Sequence, residues 1–311
     1  MRLMLASVGG HLKDLVQLAP RLPGAGDEEL WVTFDTAQSR SLLEDRQVVY
    51  VRDTPSRDAR GIALNAFAAS KLLRRHRVDT VVSTGAGVAL SFIPLARMLG
   101  AECHYIECSA RCDGPSVTGR VLERVPDVRL YTQHECWQNG PWRYGGSVFQ
   151  GFVPAPPRRP RRKRKIVVTV GTQPFGFRRL FNRLVEILPE DAEVLWQTGS
   201  TDTHGLDIDA RPSLPASELE HALSRADLVI AHSGCGSALS ALEAGIKPIL
   251  VPRRKLYGEH VDDHQEELAN ALSSRGLAFA REVEDLTEDE ILAAMGSRVD
   301  SAEHAPPFAL A

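Results

Sequence analysis

Short apolar runs rich in β-branched residues alternate along this chain with windows of helical periodicity, and one proline-rich stretch interrupts the alternation near the middle. In the first half the runs at 2–6, 30–33, 48–51, 80–83, 102–106, 128–131 and 147–149 read as strands. Between them Ile62, Ala66, Ala69 and Leu73 recur at helical spacing, and 88–99 is a second helical window. Such alternation predicts a mostly parallel sheet wrapped by helices on both faces. The stretch Val153-Pro154-Ala155-Pro156-Pro157-Arg158-Arg159-Pro160 predicts a domain boundary, because proline fixes φ and lacks a donor and so cannot continue a strand or helix.

The pattern then restarts, with strands expected at 166–170, 194–197, 228–231 and 248–251 and helices at 177–188, 217–226 and 237–244. Ser217 and Glu220 stand at capping-box spacing, ahead of an apolar stripe of Leu219, Ala222, Leu223 and Ala226. The fold class expected is α/β, two doubly wound Rossmann-like units in tandem. A length of 311 residues suits two domains.

Composition excludes several classes. With 37 Lys+Arg against 40 Asp+Glu the formal charge is -3, too balanced for a surface dedicated to nucleic acid. The longest apolar stretches, 78–82 and 246–251, fall short of the roughly 18–20 residues of a membrane-spanning helix. The first residues run into Gly9-Gly10-His11 without the apolar region of a secretory signal, so a cytoplasmic location is expected. Cys103, Cys108, Cys112, Cys136 and Cys235 form no CxxC pair and read as free thiols, with no metal site expected.

Ligands of doubly wound sheets bind beyond the carboxyl ends of strands, which singles out four junctions. At the first, Gly9 and Gly10 allow close backbone approach, and His11 opens the next helix, where a neutral imidazole that accepts a proton is favoured; a solvated or capping histidine after a turn is the bland alternative. At the second, Gly171, Thr172 and Gln173 offer N–H groups and a hydroxyl to phosphate oxygens, or form a plain turn. The third, His232-Ser233-Gly234-Cys235-Gly236-Ser237, strips side chains from a helix N-terminus and suits an anion, with Glu243 two turns on facing either a ribose diol or solvent. The fourth, Glu259-His260-Val261-Asp262-Asp263-His264-Gln265, is either a reader of sugar hydroxyls or a solvated first turn with dipole-compensating acids.

These residues carry a resemblance. Gly171-Thr172-Gln173, Ser233-Gly234-Cys235-Gly236-Ser237, Glu243-Ala244-Gly245 and His264-Gln265 with Asn270-Ala271 make the second half similar to the donor-binding domain of inverting two-domain glycosyltransferases. Those are the glycosyltransferase family 28 C-terminal domain of the peptidoglycan N-acetylglucosamine transferases and the catalytic subunit of the dolichol-linked chitobiose synthase. Gly9-Gly10-His11-Leu12, Ser83-Thr84-Gly85, Glu107-Cys108-Ser109-Ala110-Arg111, the run from Pro115 to Arg120 and Tyr144-Gly145-Gly146 make the first half resemble the partner subunit of that synthase and bacterial exopolysaccharide transferases. The chain looks like the two subunits fused.

The resemblance implies the GT-B arrangement, two such domains facing a cleft, and metal-independent hexosyl transfer from a nucleotide diphosphate sugar, UDP-linked, with no cofactor. It implies an acceptor domain at 1–153, a linker at 154–165 and a donor domain at 166–311, the C-terminal segment being a candidate to return to the first domain. The backbone at 214–217 would face the base, Glu243 the ribose, Thr172 and the 233–237 turn the diphosphate, and Gln265 the sugar, with His264 also among the donor-binding residues. His11 would deprotonate the acceptor hydroxyl, with Glu107 in reserve as base or orienter, and Gly9, Gly10 and Arg111 on the acceptor side.

Two rivals share this architecture, a nucleotide-sugar 2-epimerase and a non-catalytic nucleotide-sugar-binding partner. Asp207-Ile208-Asp209 matches the metal-binding string of another glycosyltransferase fold, but the tandem doubly wound pattern disagrees with that fold and the pair reads as a loop or edge feature. The run 158–165, with seven basic residues in eight, is either a solvated linker or a contact for anionic lipid headgroups such as a lipid-linked acceptor would demand.

Overall fold

A computed structural model describes residues 1–24, 28–54, 58–159, 161 and 163–310. The chain divides into two compact units, Met1–Val148 with Ala305–Ala311, and Phe149–His304. Pro160 and Arg162 of the basic run lie outside the described residues.

The first unit runs β1 (Arg2–Ala6), α1 (Gly10–Leu18), β2 (Glu29–Phe34), α2 (Ala37–Leu42), β3 (Val48–Val51), α3 (Ala59–Arg75), β4 (Thr80–Gly85), α4 (Gly87–Met98), β5 (Glu102–Ile106), α5 (Val117–Leu122), β6 (Val128–Thr132) and β7 (Trp142–Tyr144). Among the described residues these strands form one sheet ordered β3-β2-β1-β4-β5-β6-β7, every pairing parallel. Its central strands are buried on both faces, which is why they read as continuous apolar runs: Leu3, Met4, Leu5, Val81 and Val82 have no exposed surface.

The second unit runs β8 (Phe152–Ala155), β9 (Lys165–Thr169), α6 (Arg178–Ile187), β10 (Glu193–Gln197), β11 (Ala210–Arg211), α7 (Ala216–Ser224), β12 (Leu228–His232), α8 (Cys235–Glu243), β13 (Ile249–Val251), α9 (His264–Ser274), β14 (Phe279–Ala280), α10 (Glu288–Ala294) and β15 (Arg298–Ser301). Its parallel sheet is ordered β11-β10-β9-β12-β13-β14, the same reversal of strand order as in the first unit. Phe177, Leu180, Phe181 and Leu184 of the α6 region pack with Ile166, Val168, Ile230 and Val251 in its core.

Three expectations need correction. The run at 147–149 is not a strand: Val148–Gly151 is a 3-10 turn whose Val148 N–H donates to Gln133 Oε1 at 2.8 Å. The proline stretch does not begin the boundary, since β8 holds Pro154 in an antiparallel ribbon with β15, opposite Val299. Proline is tolerated at such an edge position. The capping box of Ser217 is not formed, because α7 starts at Ala216 after Pro215 and places Ser217 inside the helix.

Candidate functional site

In each unit the strand order reverses once, between β1 and β4 and between β9 and β12, and ligands of open α/β sheets bind beyond the strand ends at such a point. His11 lies at the first of these points, and Gly171 and the 232–237 turn lie at the second.

In the first unit the β1–β4 pairing slips: Leu5 faces Ser83 but Ala6 faces Gly85, leaving Thr84 as the extra residue. Such an irregularity frees a backbone group and re-aims its neighbours. The Thr84 carbonyl accepts from His11 Nδ1 at 2.7 Å, and its hydroxyl donates to the His11 carbonyl at 2.7 Å. A carbonyl only accepts, so Nδ1 carries the proton and Nε2 of the neutral ring is the basic nitrogen. His11 is the second residue of α1, half-buried, behind Gly9, whose N–H donates to Gln38 Oε1 at 2.9 Å.

Glu107 does not fit the role expected of it. Its side chain is fully buried, Oε1 accepts from the Cys108 N–H at 3.0 Å and the Tyr105 hydroxyl at 3.2 Å, and Oε2 accepts from the Ser116 N–H at 2.8 Å. None of these bonds reaches His11. The carboxylate folds the loop from Cys108 to Ser116 and sets the start of α5. Burial, then the Glu107 charge, push the Tyr105 hydroxyl well above its ordinary pKa, so it stays a donor. Arg111 lies in that loop, half-buried, its carbonyl accepting from Trp137 Nε1 at 2.9 Å. Asp14, one turn after His11 and fully buried, ties the loop to α1 by accepting from the Ser109 N–H at 2.8 Å and hydroxyl at 3.0 Å.

In the second unit the ring of His232, at the end of β12, is the centre. A Cβ at Gly171 would stand 2.8 Å from its Cε1, and one at Gly234 would stand 2.2 Å from its Nε2. The two glycines therefore let the β9 and β12 turns close over one imidazole. Burial first, then the Arg253 charge, hold His232 well below its ordinary pKa, so the ring is neutral. Ser237 Oγ lies 3.4 Å from its Nδ1. Cys235, Gly236 and Ser237 are the first residues of α8, which no side chain caps, and the fully buried Ser233 hydroxyl has no partner among the described residues. A helix start of this kind presents N–H groups to an anion.

The remaining predicted residues surround this point less closely. Thr172 and Gln173 are exposed in the loop before α6, the Gln173 carbonyl accepting from Ser200 Oγ at 3.1 Å. Glu243 is exposed at the far end of α8. His264 and Gln265 open α9; Gln265 is buried and its Oε1 accepts the Arg253 N–H at 3.0 Å, while His264 bonds Asp262. Asp207 and Asp209 are exposed in the loop before the edge strand β11.

Two residues were missed. Gln197, at the carboxyl end of β10, accepts from Thr169 Oγ1 at 2.5 Å and donates to the Gly171 carbonyl at 2.9 Å, fixing the first turn. Arg253, two residues beyond β13 and without exposed surface, donates from Nη2 to the carbonyls of Val170 and Phe175, both at 2.8 Å. Burial draws its pKa down to about 10. Both are polar residues directly after an apolar run, which was the available signal.

Comparison with known proteins agrees with this geometry. The second unit matches the glycosyltransferase family 28 C-terminal domain over residues 165–303. The chain is 25% identical to the UDP-N-acetylglucosamine--N-acetylmuramyl-(pentapeptide) pyrophosphoryl-undecaprenol N-acetylglucosamine transferase of Methylococcus capsulatus, across 97% of this chain and 90% of that protein. A stretch covering 23% of the chain is 41% identical to the UDP-N-acetylglucosamine transferase subunit ALG13 of Cryptococcus neoformans, over 34% of that subunit. Among solved structures it resembles MurG of Acinetobacter baumannii, with a TM-score of 0.58, 21% identity and coverage of 94% of this chain and 90% of that one. The glycosyltransferase SnogD of Streptomyces nogalater gives a TM-score of 0.56 at 20% identity, over 94% and 89% of the two chains.

Two doubly wound units, each with polar residues at its switch point, give the chain the fold of GT-B glycosyltransferases. Its second unit is similar to the glycosyltransferase family 28 C-terminal domain, whose match spans most of that unit.

Proposed function

We propose that the chain transfers a hexose-type sugar, with inversion, from a UDP-sugar to the hydroxyl of a lipid-linked or polysaccharide-precursor acceptor. The observation that carries this reading is the His11–Thr84 bond of 2.7 Å, which leaves Nε2 as the proton acceptor at the first unit's switch point. His11 takes the proton of the acceptor hydroxyl as its oxygen bonds to the anomeric carbon, while the bond from that carbon to the diphosphate oxygen breaks. The uncapped start of α8 with Thr172 receives the charge developing on the departing diphosphate, so the step uses no metal. Glu243 holds the ribose, the backbone at 214–217 the base, and Gln265 the sugar. UDP and a lipid-linked acceptor are supported by the names of the relatives, and the basic residues of 158–165 suit an anionic surface. No helix among the described residues is long and apolar enough to cross a membrane.

The test is transfer from UDP-N-acetylglucosamine to an undecaprenyl-pyrophosphoryl acceptor in excess EDTA. His11→Ala keeps donor affinity but loses about 10²–10⁴-fold in kcat and kcat/KM alike, because a positioned base acts only as the bond forms. Near-native turnover of the variant overturns the assignment of His11. Loss of native activity in EDTA, restored by manganese, overturns the metal-free step.

A further inference from the structure

The junction between β13 and α9 holds more than a donor contact requires. His260 Nδ1 lies 3.2 Å from Asp262 Oδ1, and His264 Nδ1 bonds the same oxygen. One nitrogen of each imidazole and one carboxylate oxygen all lie within 4.8 Å of one another. The two rings meet edge to face with centroids 4.8 Å apart, and Phe175 packs on His260, also at 4.8 Å. The imidazoles are largely shielded, at 7% and 18% side-chain exposure, while Asp262 at 36% keeps a path to solvent.

Three side chains at positions i, i+2 and i+4 thus converge on one small volume from an irregular segment and the first residue of a helix. Hydrogen bonding accounts for a carboxylate beside one histidine. It accounts less well for two shielded imidazoles turning the same nitrogen, Nδ1, toward one oxygen. Two imidazoles and a carboxylate form the three-ligand set of open zinc sites, which keep a further position for water or an anionic oxygen. Nitrogen-rich sets of this kind favour zinc and its neighbours over magnesium and calcium, which take oxygen ligands. A cation at the start of α9 opposes the helix dipole, and the acids of that turn, Glu266 and Glu267, offset it.

We propose that His260, Asp262 and His264 bind one transition-metal dication, zinc in the first instance, through His260 Nδ1, His264 Nδ1 and an Asp262 carboxylate oxygen. The site is separate from the transfer step proposed above, which uses no metal. It clips the segment before α9 to the helix and seats it against Phe175 of the loop after β9.

The test uses the untagged full chain, stripped of metal by chelation and dialysis. Zinc chloride titrated by calorimetry binds with a stoichiometry of one, and cobalt chloride gives the intense visible absorption of a four- or five-coordinate ion. His260→Asn and Asp262→Asn each weaken zinc binding by about a hundredfold or more and abolish the cobalt spectrum, since loss of even a supporting second-sphere group costs about 10–100-fold. Asp262 is the safer variant because it is the most exposed of the three, and its metal-free melting curve matches the native one. Failure of the native chain to bind zinc stoichiometrically overturns the proposal. Undiminished zinc affinity in Asp262→Asn, or in a folded His260→Asn, overturns it equally.

Discussion

Single side chains decide what the turns of this molecule can hold. The His232 ring fills the space that a side chain at Gly171 or Gly234 would need, and this neutral imidazole backs the start of α8. Which residue types stand at strand ends was readable, because such residues follow directly on apolar runs. Which of their acceptors are already spent was not: Glu107 looks like a base in sequence and is a buried fastener in the fold. Glu243 is exposed at the end of α8, where the proposed function sets the ribose. Glu243→Ala weakens donor affinity by roughly ten- to a hundred-fold, about 1.5–3 kcal/mol for a lost charge-assisted bond, with the melting temperature unchanged. Calorimetry with UDP-sugar checks it, and unaltered affinity moves the ribose elsewhere.

His104 sets a pH limit on the first unit. Burial first, then the Arg2 charge, bring its pKa down to about 4. Glu102 Oε1 stands 3.5 Å from its Nε2 and would favour the charged ring, but that carboxylate is half-exposed and also bonds Arg129, so burial prevails. In the unfolded chain a histidine titrates near 6.5. The unfolded state therefore gains the proton first, and stability present above about pH 6.5 is lost toward pH 4 at up to about 1.4 kcal/mol per pH unit. His104→Asn, which keeps a polar partner for the Tyr131 hydroxyl, flattens that slope. Urea denaturation followed by fluorescence reads it, since Trp31, Trp137 and Trp142 all lie in this unit. Parallel native and variant slopes would remove His104 from the account.

At the scale of elements, the long buried strands were legible, and of the short ones only β3 and β13 were. Strands β1, β4, β9 and β12 are covered on both faces and carry near-continuous Val, Ile and Leu. Strands β7, β8, β11, β14 and β15 have two to four residues each, too few to show alternation, and β8 contains a proline. Helix α5 was hidden for a different reason. It has six residues with Gly119 inside, a poor helix former that packing retains. A Cβ on Gly119 would stand 2.7 Å from Glu107 Oε2 and 2.9 Å from the Trp142 ring, both held by other bonds. Gly119→Ala therefore destabilises the first unit by about 1–3 kcal/mol through overpacking, although alanine is the better helix former. A stability equal to or above the native value in urea would show that α5 can lift away at no cost.

Across the whole molecule, the chain returns at its end to the unit in which it began. Nothing in the composition of the last residues marks this, because one aromatic among small residues and prolines has no periodicity to read. In the fold Phe308 has no exposed surface and meets Tyr131 edge-on with centroids 5.9 Å apart. Its N–H donates to the Arg21 carbonyl at 2.8 Å, the Ala309 N–H to the Gly145 carbonyl at 2.7 Å, and Arg21 Nε to the Pro306 carbonyl at 2.8 Å. The tail thus joins the end of α1 to the turn after β7, two places far apart in sequence. Truncating a buried phenylalanine costs about 3–5 kcal/mol, and here the loss also releases the backbone bonds that the ring holds in place. Phe308→Ala therefore lowers the stability of the first unit, and hydrogen exchange read by mass spectrometry shows protection lost in α1 and in β6 and β7 but kept in β9 and β12. Protection lost in β9 and β12 to the same degree would mean that the tail stabilises both units as one cooperative body, and unchanged exchange everywhere would mean that Phe308 rests on the first unit without contributing to it.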